Sequence, residues 1–183
     1  MARIIDFAKH NQQSEGGEVI MGINAMEVEK TQNLDNILTF AKIVLFLAND
    51  TSTKLYRTKL HKLLFYVQFI YYKRHRERLL ADDFICQRYG PVLPTLDEYL
   101  SLIEGVGLIK IVPDQHGSYI VPKKKFADGS YEKELGTIKK VAAKFDTWTA
   151  GEISEYSHKE PLWIHTHLHH VIPVNKAEEL NDL

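Results

Sequence analysis

The chain has 183 residues, 44% of them apolar and 26% charged, with a formal net charge of −1. That length is enough for one domain with a substantial core, built without metals or disulfides. A single cysteine, Cys86, excludes an intramolecular disulfide and fits a reducing cytoplasm; the near-neutral charge lacks the basic excess of a dedicated nucleic-acid binder.

Residues 1–31 are polar and contain the pair Gly16-Gly17. They read as an N-terminal arm or a short hairpin, with a helical turn near the start. That start lacks the apolar core of a signal peptide. From Asn33 the signal is helical: Leu34, Ile37, Leu38, Ala41, Leu45 and Ala48 recur at three- and four-residue steps. Ile43, Val44, Phe46 and Leu47 fill the other faces, so this helix is expected to be central and buried. The apolar run 37–48 contains Lys42 and is too short to span a bilayer. A second helix follows, with Thr58 as its expected N-cap. Leu60, Leu63, Leu64, Val67, Ile70 and Tyr71 form its apolar stripe, leaving Lys59, Lys62 and Arg74 off it.

Residues 78–94 read as loop with a short strand at 84–87. The stretch Arg88-Tyr-Gly-Pro-Val-Leu-Pro94 is rigid, because proline fixes φ and removes a donor. Pro94 is expected in the first turn of a third helix, followed by Asp97 and Glu98 at its favoured end. Leu96, Leu100 and Ile103 give that helix a buried face, and Gly105 and Gly107 end it. Two apolar runs, 108–112 and 118–121, flank the turn Asp114-Gln-His-Gly117 and predict one hairpin. Leu135, Ile138, Val141, Ala142 and Phe145 mark another helix. Thr149 and Glu152 form a capping-box pattern before the next, which Pro161 interrupts or ends. The fold class expected is mainly α with an α+β element: a compact bundle of five to six helices with one small antiparallel β-hairpin.

Two tracts invite chemical readings. His165, His167, His169 and His170 lie close together, but without a cysteine or a His-Glu-x-x-His pattern they predict no metal site. Residues 71–78 mix aromatic and basic side chains, as single-strand binders do. A solvated helix end carrying cations at its C-terminus explains them as well. No nucleophile elbow or phosphate-cradling glycine loop is present. Neither a catalytic residue nor a cofactor is expected, and Cys86 reads as a semi-buried bystander.

Three segments, taken together and in order, carry a resemblance. The first is Lys59, Leu60, Lys62, Leu63, Leu64 and Gln68, with the aromatic pair Phe65 and Tyr66. The second is Tyr89, Gly90, Pro91, Val92 and Pro94. The third is Ser154, His158, Glu160, Pro161 and Trp163. They resemble the Panacea antitoxin domain, also called SocA-like or phage-associated GepA-like, over roughly residues 34–174. His61 stands where the family more often has Gln, Ser157 where Thr is common, and no spacer separates Glu160 from Pro161. The resemblance implies a helix-dominated fold with a small hairpin, occupying residues 32–183. It implies the antitoxin half of a bacterial or prophage toxin–antitoxin pair, which blocks a nearby-encoded toxin by direct binding. The alternative it implies is a proteolytic adaptor that delivers the toxin to a cellular protease. Many members carry a separate DNA-binding domain; the residues before this one are too few for such a domain with its own core, so DNA binding is not expected of this chain.

For partner binding the candidates are Arg88 and Tyr89, residue types enriched at interface hot spots, with Trp163 and, on the second helix, Gln68, Tyr72 and Lys73. Lys59, Leu60, Lys62, Leu63, Leu64, Gly90, Pro91, Pro94, His158, Glu160 and Pro161 are expected to be mainly structural.

Overall fold

The computed structural model describes residues 13–125 and 132–183; the helical turn expected near the start lies outside them. The chain divides into two units, Met1–Asp35 and Asn36–Leu183. Helix α1 (Gln13–Asp50) supplies the described part of the first unit and the opening of the second. Where an arm or hairpin was expected, the backbone is thus helical from Gln13. The Gly16-Gly17 pair lies near the helix start, and Met21, Ala25, Met26, Glu27 and Glu29 are good helix formers.

In the second unit α1 is buried on nearly every side from Phe40 to Ala48, with Phe40, Ile43, Val44 and Leu47 at most 1% exposed. Helix α2 (Arg57–His75) is equally central. It packs on strands β1 (Leu55–Tyr56) and β3 (Gly90–Val92), on helices α4 (Glu132–Phe145) and α5 (Ala150–Ser157), and on a 3-10 helix at Val174–Glu179. A single apolar stripe was expected here. Instead Phe65, Tyr66 and Phe69 fill the remaining faces with aromatic rings, and Lys59 and Lys62 are buried with them. The expected cap, Thr58, is already inside the helix: β1 runs straight into α2, and Tyr56 occupies the N-cap without a side-chain bond. At the other end Arg76, in the left-handed region at φ 57°, closes the helix by donating its N–H to Tyr72 O at 2.8 Å.

Helix α3 (Leu96–Gly105) carries Asp97 and Glu98 in its first turn and buries Leu96, Leu100 and Ile103 as expected. Pro94 precedes it by two positions rather than entering its first turn, and Thr95 is the N-cap. Gly107, at φ 74°, ends it through paired bonds from Gly107 N to Glu104 O and Leu108 N to Ile103 O, the arrangement glycine favours after a helix. Helix α4 buries Leu135, Ile138, Val141, Ala142 and Phe145. Thr149 and Glu152 close a full capping box on α5. Pro161 opens a short helix, α6 (Pro161–Ile164), at a position where its missing N–H costs nothing.

Strands form two three-stranded antiparallel sheets, not one hairpin. In the first, β4 (Ile109–Asp114) and β5 (Gly117–Pro122) make the expected hairpin, and β1 pairs with β5 through Leu55–Ile120. In the second, β2 (Phe84–Gln87) lies between β3 and β6 (Val171–Ile172). The extra strands are two or three residues long, too short for alternation to mark them in sequence. Including α6 and the 3-10 helix, the described residues hold seven helices, more than the five to six expected, because both additions lie from Pro161 onward, beyond the last helix that the spacing predicts.

One polar hub joins α1, the loop after α2 and α3. Asn36 donates to Asp82 Oδ2 (2.6 Å) and Tyr99 Oη (2.8 Å), and its carbonyl accepts Ala81 N–H (2.8 Å). Tyr99 and Thr95 both donate to the Asp82 carboxylate. Removing that carboxylate strands several donors in a partly buried setting. Asp82→Ala is expected to lower unfolding free energy by about 2–3 kcal/mol in urea melts; a loss within ~0.5 kcal/mol would mean water replaces the carboxylate freely.

Candidate functional site

The rigid stretch Arg88–Pro94 is the outer strand and turn of the second sheet. Gln87 pairs with Gly90, so Arg88 and Tyr89 form a two-residue turn between β2 and β3. Pro91 sits opposite Cys86 on an edge strand. Cys86 points its backbone groups the other way: its N–H donates to His170 O (2.9 Å), and its carbonyl accepts His169 N–H (2.7 Å). Proline's missing donor is therefore not needed at that position.

Gly90 has a φ of 97° and is buried. A Cβ built on it would lie 2.5 Å from Ser157 Oγ, 2.8 Å from Lys62 Cε and 3.3 Å from Lys62 Nζ. Both the backbone angle and the space demand glycine here. Through this contact the three motifs meet: Lys62 from α2, Gly90 from the turn, and Ser157 from the end of α5. Two further links fix the turn. His61 Nδ1 accepts Leu93 N–H at 3.1 Å, and Trp163 Nε1 donates to Gln87 O at 3.2 Å. Trp163 also stacks on His158, ring centroids 4.3 Å apart.

Three charged side chains are buried among the described residues: Lys59, Lys62 and Glu160. Lys59 donates to Asp146 O (2.7 Å) and Thr53 Oγ1 (3.2 Å). Glu160 accepts Tyr66 O–H (3.1 Å) and Asn181 N–H (2.9 Å). Burial raises its carboxyl pKa, and those two donors offset part of the rise. Lys62, 1% exposed, has neither a hydrogen bond nor an ion pair among the described residues, and burial alone pushes its pKa down from 10.5 to about 8. Burial, then the charges of Lys62 and Arg57, push His61 down to about 3, so it stays neutral and accepts the Leu93 bond. His158 is also lowered, first by burial and then by Lys62.

The six expected partner-binding residues fall into two groups. Gln68 is 1% exposed; its carbonyl accepts Leu79 and Leu80 N–H while its amide donates to Leu80 O. Lys73 donates to Leu180 O (2.8 Å) and to Asp182 (3.1 Å) in the tail, and Tyr72 is half-buried against the core. Lys73 is thus engaged by the chain's own C-terminal segment and Gln68 by the loop after α2, packing that local spacing does not disclose. Arg88 and Tyr89 are exposed, with the guanidinium 5.7 Å from the tyrosine ring centre. Trp163 is half-buried beside them. Of the residues expected to be structural, Leu60, Leu63 and Leu64 lie in the core, and Glu160 anchors the tail. Sequence reading did not single out the turn-side role of His61 or the Asn36–Asp82 hub.

The histidine tract is neither strand nor helix. His165 caps α6, His169 lies at φ 68°, and His165 faces Glu179 at 3.5 Å. No cluster of three or more His, Cys, Asp or Glu able to hold a metal occurs among the described residues. The basic stretch after α2 is paired: Arg76 with Glu178, and Arg78 with Asp83 (2.7 Å). No described helix is long and apolar enough to cross a membrane.

The family model described as "Antitoxin SocA-like, Panacea domain" matches residues 60–164, more than half of the chain. The chain belongs to the SocA-like Panacea family. No curated protein and no solved structure matches it. The matched span of this Panacea domain runs from the start of α2 to the end of α6. It contains Lys62, Gly90, Ser157, His158 and Trp163. The family is one of antitoxins, whose members in general have a toxin as partner and act without catalysis.

The unpaired lysine gives a pH signature. Below about pH 8 the folded domain holds an ammonium that burial disfavours, whereas the unfolded chain keeps the ordinary value of 10.5. Between those values the folded state binds fewer protons, so stability rises with pH, by about 3 kcal/mol in all. Lys62→Met is expected to be the more stable protein at pH 7, with the gap to the wild type closing from pH 8 to 10.5 in urea melts. A gap that does not change with pH would show that Lys62 is not desolvated.

Proposed function

We propose that this protein is the cytoplasmic antitoxin of a bacterial or prophage toxin–antitoxin pair, and that it neutralises its toxin by direct binding around the Arg88–Tyr89 turn. The observation that carries the surface is Tyr89. It is 66% exposed, yet it stands on a turn fixed by Gly90, by the β2 pairing and by the Trp163 and His61 bonds. An aromatic anchor held rigid before binding loses little conformational entropy on complex formation. Val171 (47% exposed), which pairs with Ile85 in the same sheet, Leu168 (48%) and Ile164 (58%) are further exposed apolar side chains. The opposite candidates, Gln68, Tyr72 and Lys73, are engaged with their own chain.

The test is co-expression with the adjacent reading frame, scoring growth and co-purification, for wild type, Tyr89→Ala and Arg88→Ala. Wild type is expected to rescue growth and to form a stoichiometric complex. Tyr89→Ala is expected to weaken the complex at least tenfold, about 1.4 kcal/mol, while its melting temperature stays within a degree or two of wild type. Loss of affinity only in step with loss of stability would remove the turn from the interface. Rescue that depends on a cellular protease would replace direct neutralisation with the adaptor mechanism.

A further inference from the structure

A cleft of about 210 Å³ lies where α1, α2 and α4 meet the loop after α2. None of its lining residues belongs to the Gly90 contact or to the partner-binding candidates. The lining sorts by burial. Ile43, Tyr71, Leu135 and Ile138 are buried, at 7% exposure or less, and form the inner wall. Lys42 and Glu134 are half-buried and Glu77 and Arg78 exposed, so the charges stand at the mouth. An apolar cavity of about 150 Å³ accepts benzene. This one is therefore wide enough for a ring, with the Tyr71 ring in its wall.

The charges at the mouth are not equivalent. Glu77 accepts a hydrogen bond from Lys133 at 2.6 Å. Arg78 donates to Asp83 (2.7 Å) and to the carbonyls of Asp82 (2.8 Å) and Leu80 (3.2 Å). Lys42 has interactions of its own. Glu134 stands in the first turn of α4, where the helix dipole favours an ionised carboxylate. It has no hydrogen bond or ion pair among the described residues. Its charge is felt inside the cleft: burial raises the Tyr71 phenol pKa, and Glu134 adds to the rise.

We propose that this cleft binds a small arylalkylammonium ion, with its ring against Ile43, Leu135 and Ile138 and its ammonium on the Glu134 carboxylate. The ring accounts for the apolar wall and the ammonium for the uncommitted charge. An anion of the same shape meets an Arg78 already engaged and a repelling Glu134. A lysine side chain of a partner brings the same ammonium on a thinner stem, which leaves much of the cavity unfilled. The inference is independent of the antitoxin reading.

The experiment follows thermal melting of the full chain at pH 7 in rising phenethylammonium chloride, for wild type and Glu134→Gln. Butylammonium chloride and sodium hydrocinnamate at matched ionic strength are the comparisons, the first lacking the ring and the second reversing the charge. For wild type, phenethylammonium is expected to give a saturable rise of roughly 3–5 °C at ten times its dissociation constant. The two comparison ions are expected to bind at least tenfold more weakly. Glu134→Gln keeps the shape and removes the charge, and is expected to weaken phenethylammonium at least tenfold. No saturable rise, an equal response to hydrocinnamate, or unchanged affinity in Glu134→Gln overturns the proposal. An equal response to butylammonium also overturns it and turns the site over to a partner's lysine. The three ions on wild type decide charge and ring even if Glu134→Gln folds less stably. The toxin takes no part in the measurement, so failure here leaves the antitoxin reading standing.

Discussion

The close approach at Gly90 is the constraint on which the site depends. At this one position a backbone angle of 97° and a hydrogen in place of a side chain let a strand turn press against both α2 and α5. If the strand stood a methyl group further out, Lys62 and Ser157 would lose their common neighbour. The His61 and Trp163 bonds, each to a backbone group within three residues of Gly90, would lose their register. The rigidity of the turn thus comes from tertiary contact as much as from its prolines.

Around that point the domain places charge inside an otherwise apolar centre. Helix α2 buries aromatic rings on several faces, and three charged groups share the space with them. Two are answered by the chain itself, Lys59 by a backbone carbonyl after α4 and Glu160 by Tyr66 and the C-terminal segment. These bonds tie elements distant in sequence to α2. The third, Lys62, remains unanswered. Burying an unpaired ammonium costs stability, and a cost kept beside an exposed aromatic turn is the physical basis for reading this corner as functional.

Much of the architecture is legible from local pattern. The all-round apolar run at 40–48, the helical face of Leu135 to Phe145, and the Thr149–Glu152 cap each follow from spacing or capping chemistry. What escapes is non-local. Strands β1 and β6 are two residues long and exist because β5 and β2 are there to pair with. Lys62 lies off the apolar stripe, yet it is buried, and Gly90 of β3 approaches its tip. Lys73 reads as surface because the segment that engages it lies about a hundred residues later, and Gln68 because the loop eleven and twelve residues on folds back over it. Gly90 was visible as a turn residue, but its role as a contact between two other motifs needed the fold.

The most direct test is a double-mutant cycle on Gly90 and Lys62, read by urea unfolding at pH 7. Gly90→Ala alone should cost about 2–4 kcal/mol, from the forced backbone angle and the overlap with Lys62 and Ser157. With Lys62 shortened to Ala, part of that overlap disappears. The two substitutions should then be non-additive by about 1 kcal/mol or more, Gly90→Ala costing less in the Lys62→Ala background. Additive effects, or a Gly90→Ala variant within ~0.5 kcal/mol of wild type, would contradict a site organised by that contact.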